Sequence, residues 1–284
     1  MKVERIAVIG TGTMGNGIAG QAALCGFSVA MYDVDPARTV AAAAQIRQTW
    51  KTGVDRGKVQ PAAAEAAAER LGTTGDLGRA LADAELVIEA VPEKMALKTE
   101  LFRQFEAQAP AAAVFASNTS SLSLTEIAAA TASPGRVVGM HFFNPVAIMP
   151  LVELVRGEHT TDDTLATARA VAEQMGKQCI VVRDSPGFAT SRLGIALGNE
   201  AMRMFEEGVA SAEDIDRAMV LGYRHPIGPL ALTDLVGLDV RLAITEHLHR
   251  EIGSDTFRPP RILRQMVRAG RLGRKVGRGF YTYD

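Results

Sequence analysis

The sequence lacks several features that mark large protein classes. Its 284 residues include only two cysteines, Cys25 and Cys179. One bridge at most could join them, so a disulfide scaffold is excluded and a reducing compartment is expected. Neither cysteine sits in metal-ligand spacing. No apolar run approaches the ~20 residues needed to cross a bilayer. Neither sign of charge is in excess: Lys and Arg total 31, Asp and Glu 32, for a net charge of −1. That balance excludes a generally basic nucleic-acid binder and gives no reason for an anionic membrane partner. A signal peptide is not expected, because the apolar run after Lys2 and Arg5 is only Ile6 to Ile9 and leads into glycines. The sequon at Asn118 is then not expected to carry a glycan. What remains is 47% hydrophobic and 22% charged, the composition of a globular, cytoplasmic protein. At ~150 residues per domain, the length suggests two domains.

The first part of the chain alternates apolar runs with helical stretches. Arg5–Ile9, Phe27–Tyr32, Leu86–Val91, Val114–Ala116, Val137–Met140, Leu151–Val155 and Cys179–Val182 read as strands. Gly17–Cys25, the Ala-rich stretches Pro36–Gly53 and Pro61–Leu71, and Met95–Gln108 read as helices. Strands separated by helices imply βαβ units, hence an α/β, Rossmann-type doubly wound, mostly parallel sheet. Asp184-Ser185-Pro186-Gly187 then punctuates the chain. Beyond it Ile195–Glu207, Ala212–Leu221 and Leu238–Ile252 read as helices, with few strand-like runs. The expected division is therefore residues 1–184, a nucleotide-binding domain, and residues 185–284, a smaller all-helical domain.

Gly10-Thr11-Gly12-Thr13-Met14-Gly15 matches G-x-G-x-x-G between a strand and a helix, and Asp33 ends the next strand. Gly10 permits the tight turn, Gly12 admits the pyrophosphate, and Gly15 lets the helix pack on the strand. The helix start at Thr13 and Met14 offers unpaired N–H groups and a positive dipole end. Asp33 suits the ribose hydroxyls and repels a 2′-phosphate, which favours NAD over NADP. Arg38 softens that preference if it reaches the same spot. FAD uses the same fingerprint, but so short a chain without a second such motif favours NAD.

His141 ends a predicted strand, on the edge where open α/β sheets bind ligands. Oxidation of a secondary alcohol needs a base for the hydroxyl proton as hydride leaves, and histidine suits that task near neutral pH. Glu153 interrupts the next apolar run, Leu151–Val155. A carboxylate there is costly without a partner, and pairing with His141 would satisfy it and orient the ring. On these residues alone, a buried structural histidine and an exposed edge glutamate remain the alternative.

Seven segments occur in order: Ser117-Asn118-Thr119-Ser120-Ser121-Leu122, Gly139-Met140-His141-Phe142-Phe143-Asn144-Pro145, Leu151-Val152-Glu153, Asp184-Ser185-Pro186-Gly187-Phe188, Gly228-Pro229, Asp234-Leu235-Val236-Gly237-Leu238-Asp239 and Gly277-Arg278-Gly279-Phe280-Tyr281. With them the chain, from about Ile6 to Tyr281, resembles the L-3-hydroxyacyl-CoA dehydrogenase family, and its bacterial members most. The resemblance implies NAD-dependent interconversion of a (3S)-3-hydroxyacyl-CoA and a 3-oxoacyl-CoA, with the His141–Glu153 dyad as general base and acid. It implies that Ser120 hydrogen-bonds the reacting oxygen near the nicotinamide, and that Glu93, Lys98, Asn118 and Asn144 lie near the cofactor. From the residues alone, Glu93 and Lys98 read equally as a solvated helix start. The family has a helical hairpin over its active site where this chain carries Lys51, Arg56 and Lys58. These suit CoA phosphates, or are ordinary solvated charges. The resemblance also implies a helical domain that closes over the cleft and forms a homodimer.

The chain departs from the family at Ser191, where an Asn usually precedes the Arg. Ser offers one hydroxyl in place of an amide, which leaves the substrate contact open. A sugar-acid dehydrogenase of the gulonate type therefore remains an alternative. The 6-phosphogluconate and 3-hydroxyacid dehydrogenases need a lysine on the first long helix after the domain boundary; here none occurs between Lys177 and Lys275. A non-catalytic NAD-binding sensor or crystallin-like protein would share the fold, and His141, Glu153 and Ser120 argue against it. No metal is expected, since His247 and His249 point to different sides of a helix.

Overall fold

Four of the five residues of the first strand, β1 (Arg5–Ile9), are buried, as a strand covered on both faces requires. The structure is a computed structural model that describes residues 2–283, and it divides into two units, Met1–Ser185 and Pro186–Asp284. In the first unit β1 is followed by α1 (Thr13–Leu24), β2 (Ser28–Tyr32), α2 (Pro36–Asp55), α3 (Pro61–Arg70), β3 (Leu71–Thr74), α4 (Leu77–Leu81) and β4 (Leu86–Glu89). Then come α5 (Met95–Gln108), β5 (Val114–Ser117), α6 (Leu124–Ala128), β6 (Val137–Phe142), β7 (Leu151–Arg156), α7 (Asp162–Gln174) and β8 (Gln178–Arg183).

The strands form one sheet in the order β3-β2-β1-β4-β5-β6-β7-β8. Every neighbouring pair is parallel except β6 and β7. This is the Rossmann-type, mostly parallel sheet that the alternation of strands and helices implied. The chain moves outward from β1 through β2 to β3, then crosses back to β4 on the other side of β1. The two directions part at the carboxyl ends of β1 and β4, which is where open α/β sheets bind ligands.

Several boundaries differ from the sequence reading, among them the helix read from Ile195, which begins at Thr190. The first helix begins at Thr13, not Gly17, because the glycine loop runs straight into it. Leu71, read as a helix end, starts β3; only that residue of Leu-Gly-Thr-Thr is buried, so no apolar run announces this edge strand. The helix read from Ala212 to Leu221 ends at Arg217 and passes into a π-helical turn, Ala218–Gly222. Helices α4, α6 and α7 were not visible as apolar periodicity.

The second unit holds α8 (Thr190–Glu206), α9 (Ala212–Arg217), α10 (Pro229–Val236), α11 (Leu238–Ile252) and α12 (Arg261–Arg268), with no strand among its described residues. Its core gathers Met202, Ile215, Leu230, Leu238, Leu263 and Met266; full burial of such side chains contributes about 1.5–3 kcal/mol each. Two buried aspartates tie the unit together. Asp216 accepts the N–H groups of Leu230 and Ala231, both at 2.8 Å, and so caps α10. Asp234 accepts those of Phe280 and Tyr281, both at 2.9 Å, and the Tyr283 hydroxyl at 3.0 Å. No helix among the described residues is long and apolar enough to cross a membrane.

Candidate active site

The glycine loop sits against the end of β4. Gly10 has φ +98°, and a Cβ on it would lie 2.7 Å from the Ala90 carbonyl oxygen. A Cβ on Gly15 would lie 1.8 Å from the Gly10 carbonyl oxygen. Both positions therefore require glycine. Gly12 differs: a Cβ there would meet nothing within 4 Å. It is the N-cap of α1, makes no side-chain cap, and no acidic residue occupies the helix's first turn. The N–H groups of that turn have no intrahelical partner and stand at the positive end of the helix dipole. A pyrophosphate fits this arrangement. The adjoining cleft, about 430 Å³, is lined by Gly10, Gly12, Thr13, Met14, Asp33 and Arg38 among others.

Asp33 follows β2 and is buried. Its Oδ2 accepts the N–H and hydroxyl of Thr11, each at 2.9 Å, and its Oδ1 accepts the Asp35 N–H at 3.3 Å. Burial alone would raise its pKa, but these bonds, with help from Arg38, hold it below the usual carboxylate range. Arg38 reaches Asp33 only at 3.9 Å from an exposed position, which leaves a charged carboxylate on the cleft.

The antiparallel pairing of β6 and β7 puts His141 directly opposite Glu153. Opposed residues share a face of the sheet, and the side chains meet: His141 Nδ1 lies 2.7 Å from Glu153 Oε2. Glu153 is 0% exposed and His141 is buried, so the exposed edge glutamate is ruled out. A carboxylate only accepts, so Nδ1 is the ring nitrogen that donates to Glu153 Oε2. The Phe143 ring stacks at 4.4 Å, tilted against the imidazole.

A second cavity, about 350 Å³, brings His141 together with Glu93, Lys98, Asn118, Ser120 and Asn144, and Met14 lines both this cavity and the first. Asn118 Oδ1 accepts the Phe142 N–H at 2.9 Å, which joins the end of β5 to the strand that carries His141. Glu93 Oε1 accepts the Ser120 N–H at 2.9 Å and the Ser120 hydroxyl at 3.3 Å. Burial would raise the Glu93 pKa, but Lys98 and the Thr119 and Ser120 donors outweigh it and hold the carboxyl low.

Lys98 is no solvated helix start. It is 1% exposed, with Nζ 2.6 Å from Glu89 Oε1 and 3.3 Å from Glu93 Oε2. Glu89, at the end of β4, is fully buried and also accepts the Val91 N–H at 2.7 Å and the Ser117 hydroxyl at 2.6 Å. The sequence reading missed Glu89, although a carboxylate inside Leu86–Val91 is the same signal that singled out Glu153.

Profiles of known families decide the kinship. Residues 5–185 match the one described as "3-hydroxyacyl-CoA dehydrogenase, NAD binding domain", and residues 187–283 match "3-hydroxyacyl-CoA dehydrogenase, C-terminal domain". The chain belongs to the 3-hydroxyacyl-CoA dehydrogenase family. A probable 3-hydroxybutyryl-CoA dehydrogenase of Bacillus subtilis is 45% identical over 100% of this chain and 99% of that protein. The 3-hydroxybutyryl-CoA dehydrogenase of Bradyrhizobium diazoefficiens is 42% identical over 99% of this chain and 96% of its own. The crystal structure of (S)-3-hydroxybutyryl-CoA dehydrogenase from Ralstonia eutropha superposes with a TM-score of 0.96 at 41% identity, covering 100% of both chains. NAD is thus the cofactor of this dehydrogenase, and the glycine loop and Asp33 fit it.

Other residues that the family resemblance singled out are not among those that line the two cavities. Lys51 and Arg56 lie at the end of α2 and Lys58 in the turn before α3, all exposed, and none lines either cavity. Ser191 lies half-buried in the first turn of α8, in the second unit.

Proposed function

We propose that the chain is an NAD-dependent L-3-hydroxyacyl-CoA dehydrogenase that interconverts (3S)-3-hydroxyacyl-CoA and 3-oxoacyl-CoA. The observation that carries this reading is the buried His141–Glu153 pair on the cavity lined by Ser120, Asn118 and Asn144. NAD held by the glycine loop and Asp33 would supply the acceptor for the hydride that leaves the carbinol carbon. His141 Nε2 takes the hydroxyl proton, and returns it in the reverse direction. Glu153 fixes the tautomer through Nδ1 and stabilises the imidazolium, as an aspartate does for histidine in hydrolases. General-base catalysis of this kind contributes roughly 10² to 10⁴ in rate. Ser120 hydrogen-bonds the reacting oxygen, its hydroxyl hydrogen turning there from Glu93 Oε1. Gly10, Gly12, Thr13, Met14, Gly15 and Asp33 hold the dinucleotide, and Glu93, Lys98, Asn118 and Asn144 border its nicotinamide end.

In this reading Lys51 and Arg56 meet the CoA phosphates from the α2–α3 hairpin. Ser191 contacts the substrate where relatives of this type present an amide. The second unit carries Ser191 and forms a homodimer in the cytoplasm. The test is NADH consumption with acetoacetyl-CoA, beside NAD reduction with a panel of 3-hydroxyacyl-CoA chain lengths and sugar acids. Turnover of the acyl-CoA esters is expected. Tight NADH binding without turnover of any acyl-CoA would overturn the reading, and preference for a sugar acid would replace its substrate.

A further inference from the structure

Beneath the cavity lies a cluster with more negative than positive charge. The hydrogens of the neighbouring groups can be assigned one by one. Ser117 Oγ accepts the Thr119 N–H at 3.2 Å, so its own hydrogen points to Glu89 Oε2 at 2.6 Å. The other groups on Glu89 are the Val91 N–H and the Lys98 ammonium, which only donate. A protonated Glu89 would have no acceptor for its hydrogen, so it is a carboxylate. Glu93 is alike. Thr119 Oγ1 accepts the Leu122 N–H at 2.9 Å and turns its own hydrogen to Glu93 Oε1 at 2.5 Å. The three hydrogens of Lys98 are taken up by Glu89, by Glu93 and by the Val91 carbonyl at 3.4 Å.

Two carboxylates against one ammonium leave one net negative charge. Among the described residues no further cation pairs with Glu89 or Glu93. Glu89 and Lys98 are 0% and 1% exposed and the Glu93 side chain 37%, so the excess negative charge opens toward the cavity of His141, which Glu93 and Lys98 line.

We propose that the Glu89–Lys98–Glu93 cluster binds the oxidised nicotinamide ring, which is positively charged, in preference to the neutral reduced ring, with Glu89 as the residue that sets the charge. This rests on the reading that the His141 cavity receives the nicotinamide. It assigns the two buried anionic groups complementary tasks. During oxidation a hydride carries two electrons from the carbinol carbon to the ring and cancels the ring's charge, while the hydroxyl proton passes to His141 and makes it positive. The cluster meets the positive charge when it is on the ring. Glu153 meets it when it is on the imidazole. Glu89 touches none of the reacting atoms and acts through Lys98 and Glu93.

The test is the dissociation constants of NAD and NADH for the full chain and for Glu89→Gln, measured by calorimetry at one pH and ionic strength. Gln keeps the size of Glu and removes the net charge. The ratio of the NAD constant to the NADH constant is expected to rise roughly tenfold, the scale of one partly buried charge acting on another a few ångströms away. Ser117→Ala removes a donor without changing the charge and is expected to leave the ratio as it is. A merely structural Glu89 would weaken both cofactors alike. Both cofactors bound by Glu89→Gln with an unchanged ratio would overturn the proposal and leave the enzyme assignment standing. Should Glu89→Gln fail to fold, Glu93→Gln removes the same charge from the more exposed end, and an unchanged ratio there overturns the proposal too. Wild-type protein that binds neither cofactor would overturn the underlying assignment itself.

Discussion

Glu153 and Glu89 show how much one residue reveals by being in the wrong company. Each is a carboxylate inside an apolar strand, and each is fully buried with its partners in place. Glu153 was legible because a histidine on the preceding run supplied a partner. Glu89 was not, because its partners Lys98 and Ser117 are supplied by a helix and a strand whose approach only the fold defines. Glu153→Gln keeps the shape and removes the charge that stabilises the imidazolium. Its kcat is expected to fall by roughly 10² to 10⁴ with the fold intact; steady-state kinetics alongside circular dichroism check this, and a wild-type kcat would contradict it. Glu93 gives a pH signature. Its carboxyl is held below its usual range in the folded chain. The stabilisation is therefore complete above the unfolded value of about 4.3 and is lost as pH falls through the lower folded value. Urea titrations across the acid range should show Glu93→Gln less pH-dependent there than wild type. Parallel curves would count against the assignment.

At the scale of elements, the glycine loop was the most legible part, because its constraints are steric and local. A Cβ on Gly15 would lie 1.8 Å from the Gly10 carbonyl oxygen. Gly15→Ala should therefore displace the loop from β4 and weaken NADH binding severely, as fluorescence titration would show; near-wild-type affinity would mean that the loop yields more easily than its packing suggests. The edge strand β3 and helix α7 were illegible for a different reason. Neither carries a continuous apolar run, and each is held by the sheet it joins. Helix α11 was read correctly in extent, yet it hides an anomaly. Arg241 is 5% exposed, and its Nε has no hydrogen-bond partner. Among the described residues no carboxylate pairs with it, and burial pushes its pKa down to about 10. Its guanidinium lies beside α8, where a Cβ on Gly194 or Gly198 would stand 3.7 or 3.8 Å from Nη1. A buried charge without a partner is destabilising. Arg241→Met is expected to raise unfolding stability by about 1 kcal/mol or more, measured by urea denaturation, whereas a loss of stability would show that the guanidinium has a structural task.

For the whole molecule, the net charge of −1 gave no hint of a partner rich in phosphate. The structure locates the reason. The glycine loop offers backbone N–H groups and a helix dipole in place of lysines and arginines, so phosphate recognition leaves little trace in composition. The seven segments that carried the family resemblance are spread from Ser117 to Tyr281, and both family profiles meet near the turn at Asp184–Gly187. Order along the chain was thus readable. The family resemblance named the side chains that converge on one cavity, whereas their spacing alone does not, since Glu93, Lys98, Asn118, Ser120, His141 and Asn144 come from the ends of three strands and the start of one helix. The central claim is that these residues serve a hydride transfer whose proton passes through His141. The most direct measurement is kcat for acetoacetyl-CoA reduction by NADH in wild type and in folded His141→Ala. The account predicts turnover in wild type and a loss of roughly 10² to 10⁴ in the variant; a variant that keeps the wild-type rate would contradict it.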